Sequence, residues 1–165
     1  MRAIVMVLLV AACSRASEEE QGKRAPIPPP PVEVRVPPDL HIAVRVDGAD
    51  APAITAAALA AKTPDFSDRD HHAWKLVTLV PAFDRDGAVL EAKGTAGVSL
   101  TIDRPASASA PQPVLFLTRR GDVAVTVIDP AHPFPEFHGQ GGRLKRQGDP
   151  MPRLQPVTAL EVSRR

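Results

Sequence analysis

"PVLFLTRRGDVAVTVI", residues 113–128, is the stretch from which the fold is read. Two apolar runs, 113–118 and 123–128, stand on either side of "RRGD", and Gly121 in that link suits a hairpin turn. Working outward, "VEVRV" at 32–36 and "HIAVRV" at 41–46 alternate with a period of two, which predicts strands. "WKLVTLV" at 74–80, "GAVLEAK" at 87–93 and "GVSLTI" at 97–102 are further strand candidates, and "PVTALEV" at 156–162 closes the sheet. One helix is predicted over 51–62, "APAITAAALAAK", with Pro52 in its first turn and Pro64 beyond its end. Ile54, Ala58 and Leu59 share a face of that helix. Residues 103–112 and 129–153 read as loops. The expected class is α+β, mainly β: a compact β-rich domain with one short helix, spanning 32–165 as a single unit.

Composition sets what the core is made of. Hydrophobic residues make up 44% of the chain but aromatics only 4%, and tyrosine is absent, so Val, Leu, Ile and Ala must fill most of the interior. Trp74 is expected in that core. Residues 32–165 carry sixteen acidic and sixteen basic side chains, a balance that argues against nucleic acid as the main partner.

The N-terminus carries an address. Met1 and Arg2 give a positive start, and Ala3–Ala12 is an unbroken apolar run. A ten-residue helix rises only about 15 Å, half the hydrocarbon thickness of a bilayer, so the run reads as a secretory signal over residues 1–12 and not as a span. It ends Val10-Ala11-Ala12-Cys13, and Cys13 is the only cysteine. Small residues followed by cysteine resemble the lipobox of bacterial lipoproteins, with Val10 where that family usually has Leu. The resemblance implies a diacylglycerol thioether on Cys13, palmitate-type acylation and anchorage in the lipid bilayer. Ser14 in place of Asp resembles outer-membrane sorting, with the domain in the periplasm or at the cell surface. With Cys13 acylated, no thiol remains for a disulfide or a cysteine-ligated metal.

Between anchor and domain lies a tether, 13–31. Glu18, Glu19, Glu20, Lys23 and Arg24 precede "APIPPPP", and Pro28–Pro31 favour an extended polyproline form. Residues 14–31 would reach at most roughly 55 Å in that form.

Three stretches can carry chemistry. "PDFSDRDHHAWKL" gathers Asp65, Asp68, Asp70, His71 and His72. In an extended chain Asp68, Asp70 and His72 point to one side, whereas His71 and His72 face apart and are no chelating pair. A solvated turn before a strand explains these residues without a metal, and no HExxH spacing appears. "FDRDGAV" places Asp84, Asp86 and Gly87 together but lacks the other oxygen ligands of a calcium loop, so a hairpin turn is expected there.

The third is "DPAHPFPEFHGQGGRLKRQGDPMPR", 129–153. His132 and His138 flank Phe134 and Phe137, and Gly139, Gly141 and Gly142 precede Arg143, Lys145 and Arg146. Free backbone N–H groups backed by guanidinium groups can hold an anion or an acidic partner, with His138, Arg143, Lys145 and Arg146 as the candidate residues. A long surface loop pinned by its phenylalanines is the plainer alternative. The pattern is not a P-loop. Ser67, Ser99, Ser107, Ser109 and Ser163 lack the G-x-S-x-G setting of a catalytic serine.

"VRVDGADAPAITAAALAAKTPDF" (44–66), "HAWKLVTLV" (72–80), "PVLFLTRRGD" (113–122) and "HPFPEFHGQGGRLKR" (132–146) together resemble the sulfite-oxidase-type molybdopterin-binding domain over residues 41–162. That family ligates molybdenum through a cysteine inside the domain, and none exists here. The resemblance therefore implies a fold, and an oxidoreductase only with another ligand. The reading preferred on these grounds is an envelope lipoprotein whose domain binds an envelope protein or small anion without catalysis and without a cofactor. A molybdopterin-like oxidoreductase, active or degenerate, and a purely structural envelope component are the alternatives.

Overall fold

A computed structural model describes residues 33–134 and 153–165. Residues 1–32, with the expected signal peptide, Cys13 and the expected tether, lie outside the described residues, as does the segment 135–152 with His138, Arg143, Lys145 and Arg146. Among the described residues the chain forms β1 (His41–Val46), β2 (Ala49–Thr55), α1 (Ala56–Ala60), β3 (Phe66–Ser67), β4 (His71–Lys75), α2 (Leu76–Leu79), β5 (Ala88–Lys93), β6 (Ser99–Asp103), β7 (Gln112–Thr118), β8 (Val123–Ile128), β9 (Arg153–Leu154) and β10 (Ala159–Arg164). No helix among them is long and apolar enough to cross a membrane.

The strands make two five-stranded sheets, ordered β2-β1-β10-β5-β6 and β3-β4-β7-β8-β9. Every neighbouring pair is antiparallel except β1 and β10, which run parallel with Val44 opposite Leu160. Ile42, Val44, Leu90, Leu160 and Val162 of the first sheet meet Trp74, Leu115, Leu117 and Val125 of the second in one buried cluster. The architecture is thus a mainly β sandwich with its apolar side chains between the layers. Leu76 on α2 and Val80 and Phe83 beside it belong to the same cluster, so this short helical stretch contributes side chains to the core between the sheets.

The opening stretch folds as its pattern predicts. β7 pairs with β8, Leu115 opposite Val125, and Gly121 turns the chain at φ +82°. That backbone region is cheap only for residues without a Cβ. Trp74 is buried, and its indole N–H donates to the Lys62 carbonyl at 2.9 Å.

Four expectations need correction. The helix predicted over 51–62 is found only over its middle, Ala56–Ala60: residues 49–55 pair with β1 as strand, and α1 begins at Ala56, with Thr55 Oγ1 accepting from the Ala58 N–H. Pairing along β1 overrides the intrinsic preference of alanine, and Pro52 is tolerated because β2 is an edge strand. A second helix exists besides: "WKLVTLV" leaves the extended form after Lys75 and turns into α2, which carries Leu76 into the core. Residues 33–36 of "VEVRV" form no strand, and Val34 and Val36 instead pack on the core as an irregular strap. Asp86-Gly87 is not a hairpin turn but links the 3₁₀ turn Pro81–Asp84 to β5.

Gly94, just past β5, offers a direct test of the packing. A Cβ there would lie 2.8 Å from the Pro156 carbonyl oxygen and 3.2 Å from Leu154 Cδ1. A backbone oxygen cannot swing aside as a side chain can. Gly94→Ala should therefore destabilise the domain by about 1–3 kcal/mol, the usual range for overpacking. A thermal melt decides it, and an unchanged midpoint would show that the two segments are not held this closely.

Candidate binding site on the outer face of the second sheet

β7 lies in the middle of its sheet and is apolar on both sides. Leu115 and Leu117 face inward, while Val114 and Phe116 join Ala73 and Ile128 in a separate buried cluster on the outer face. Phe66 and Phe134 pack against this second cluster. Alternation along β4 follows the same rule, with Trp74 inward and Ala73 outward.

The turn between β3 and β4 builds the polar part of the site. Asp68 Oδ1 accepts the backbone N–H groups of Asp70 and His71, each at 2.7 Å, and so closes the turn. The same carboxylate sits 3.1 Å from His71 Nδ1 through either oxygen. Partial burial works to raise the Asp68 pKa, but the bonds from His71 and from the two backbone N–H groups outweigh it and hold the carboxyl below its ordinary value. Asp70 pairs with Arg119 Nε at 2.6 Å across the strand ends.

Aromatic rings complete it. The His71 ring lies 5.1 Å from Phe116 and 5.3 Å from Phe134, centroid to centroid, and the two phenylalanines are 5.9 Å apart. The Arg153 guanidinium stands 5.8 Å above Phe116, and Lys75 Nζ stands 5.4 Å above Phe66. Both are cation–π distances. Burial lowers the pKa of Arg153 and the nearby Asp122 works against that. An arginine stays charged in any case.

Phe134 reaches this face from a small turn. Asp129 and His132 form a bridge, and Asp129 Oδ1 accepts from the Ala131 N–H at 2.9 Å. The residues that flank 135–152, Phe134 and Arg153, therefore both meet the Phe116 ring.

The acids and histidines singled out in the sequence are sorted differently from expectation. Asp68, Asp70 and His72 do not share a side, because 68–70 is a tight turn and not extended chain. Asp68 is paired with His71 instead, and His72 turns the other way to meet the Trp74 ring edge-on at 5.9 Å. Asp65 accepts the Lys75 backbone N–H. Among the described residues no group of three or more His, Cys, Asp and Glu is placed to hold a metal ion. Asp84 and Asp86 both pair with Arg104, at 3.2 and 2.9 Å. Ser107 and Ser109 bond to each other, and Gln112 Nε2 gathers the Ser107 and Ala110 carbonyls.

Lys75, Phe116 and Arg153 were missed by sequence reasoning. A signal for Phe116 existed: a strand without polar alternation, such as 113–117, is covered on both faces. Nothing local marks Arg153, whose place depends on β9 pairing with β8. The assembled face offers aromatic rings flanked by cations, with the Asp68–His71 pair beside them. No family model, curated protein or solved structure matches the chain.

Proposed function

We propose that this chain is a bacterial envelope lipoprotein, anchored by acylated Cys13 and sorted to the outer membrane. Residues 1–12 are its signal peptide and the polar, proline-rich residues up to 31 its spacer. The β-rich domain acts as a non-catalytic binding or accessory module for an acidic envelope protein or a small anion. The observation that carries the binding reading is the meeting of Phe134 and Arg153 at the Phe116 ring. Phe134 and Arg153 are the described residues on either side of the stretch that holds His138, Arg143, Lys145 and Arg146. That segment has no acid between residues 139 and 148. The charge balance of the domain supports a protein or anion partner over nucleic acid.

Replacing Arg143, Lys145 and Arg146 together by Gln tests the reading. Captures from envelope extract should lose their strongest partners, and the difference from the parent should fade at high salt, where charges beyond about 8 Å are screened. Stability should change by less than about 0.5 kcal/mol, as for other surface substitutions. Capture of the same partners at the same salt by the triple variant would leave these cations without a role.

A further inference from the structure

We infer that β6 is a self-pairing edge: two copies of this chain join antiparallel along Ser99–Asp103, so that their first sheets run on as one. The inference goes beyond the binding reading and does not depend on it. β6 stands at the end of its sheet with β5 on one side, and their register is unbroken from Val89↔Asp103 to Lys93↔Ser99. Just beyond its two ends the Gly94 N–H donates to the Val98 carbonyl and the Arg104 N–H to the Ala88 carbonyl. Backbone groups alternate in direction along an antiparallel strand, so those of Leu100 and Ile102 face β5 and those of Ser99, Thr101 and Asp103 face outward. Among the described residues no backbone hydrogen bond reaches these outward groups. β9 approaches β6 from the second sheet, but its ladder is with β8. An open row of this kind is a template for another strand. The other edges are blunted: β2 carries Pro52 and a shift of register against β1, and β3 and β9 have 2 residues each. β6 has neither a proline nor a bulge.

The strand is its own complement. A two-fold axis through Thr101 sets Thr101 opposite Thr101 and Ser99 opposite Asp103 of the second copy. Every outward N–H and C=O of these residues then has a partner. Threonine pairs are favourable across a ladder, and the Ser99 hydroxyl can donate to the Asp103 carboxylate. No two like charges meet, which is the arrangement that would oppose pairing. Asp103 also has Arg165 of its own chain at 3.3 Å to offset its charge. On the core side Leu100 falls opposite Ile102, so the apolar layer continues from one copy into the next. Val98, at 56% the exposed large hydrophobic among the described residues, falls opposite Arg104. The stem of that arginine can cover it while Asp84 and Asp86 hold the guanidinium. A two-fold pairing of this kind is closed and stops at two copies.

Sedimentation equilibrium of the full chain in density-matched detergent reads the pairing. A contact of this length is at the small end of interfaces, so the chain is followed up to about 1 mM. The parent should pass from one copy to two over that range. Thr101→Pro removes a donor that β5 does not use, so the domain should stay folded while the dimer is lost. Thr101→Lys sets two like charges opposite each other on the axis and should weaken the dimer about tenfold or more. Ser163→Lys, at an exposed position of β10 in the middle of the same sheet, should leave it unchanged. Circular dichroism checks that each variant is folded, and if Thr101→Pro is not, Thr101→Lys carries the test. A parent that stays a single copy, a dimer unweakened in either folded Thr101 variant, or one lost equally in Ser163→Lys would overturn the inference. Amide hydrogen exchange separates this edge from any other contact. The peptide over 98–104 should exchange more slowly as the parent is concentrated, and a rate there that ignores concentration would overturn the inference equally.

Discussion

Trp74→Ala is expected to unfold the domain or leave it barely stable. The ring is buried within the cluster that joins the two sheets. Truncating a buried tryptophan typically costs about 3–5 kcal/mol, against about 5–15 kcal/mol of total stability for a domain of ordinary size. Here the loss has a second part. The indole N–H satisfies the Lys62 carbonyl at 2.9 Å, next to the end of α1, and without it that oxygen needs another donor. Trp74→Phe should fall between the parent and the alanine variant, since it keeps most of the packing and loses only the hydrogen bond. Thermal and denaturant melts of the three proteins check the order. A soluble alanine variant with an unchanged midpoint would place the ring outside the core.

The fold was legible where one physical cue acted alone. The β7–β8 hairpin needed two apolar runs and a glycine able to take positive φ, and all three are local. The alternation in "HIAVRV" likewise reported a strand with one buried face, and Ile42 and Val44 are its buried members. Legibility failed where local preference and pairing disagreed. "APAITAAALAAK" has alanine's helical preference, yet residues 49–55 gain a ladder along β1 that an isolated helix of that length could not match. "WKLVTLV" failed for the reverse reason: strand-like residues bend into α2, where burying Leu76 decides the matter.

The candidate site was legible in part. Its acids and histidines stood out at 65–72, but their pairing depended on a turn that Asp68 closes on itself. Phe116 and Arg153 come together only through tertiary pairing, β7 with β8 and β8 with β9, so no window of sequence holds both. The candidate cations Arg143, Lys145 and Arg146 lie outside the described residues and remain proposals.

The other large effect concerns the anchor. In the proposed account Cys13 supplies the sulfur of the thioether, and each buried methylene of its acyl chains contributes about 0.8 kcal/mol to membrane attachment. Serine has no thiol to modify. Cys13→Ser should leave the chain unacylated and uncleaved by the lipoprotein peptidase, without touching the sandwich, whose described residues begin at Glu33. Its thermal midpoint should match that of the parent.

Mass spectrometry of the mature N-terminus of the parent, isolated from a bacterial envelope, decides whether Cys13 is the lipid anchor. A lipid-anchored protein will begin at Cys13 and carry the added mass of its acyl groups. An unmodified N-terminus at any other residue would contradict it.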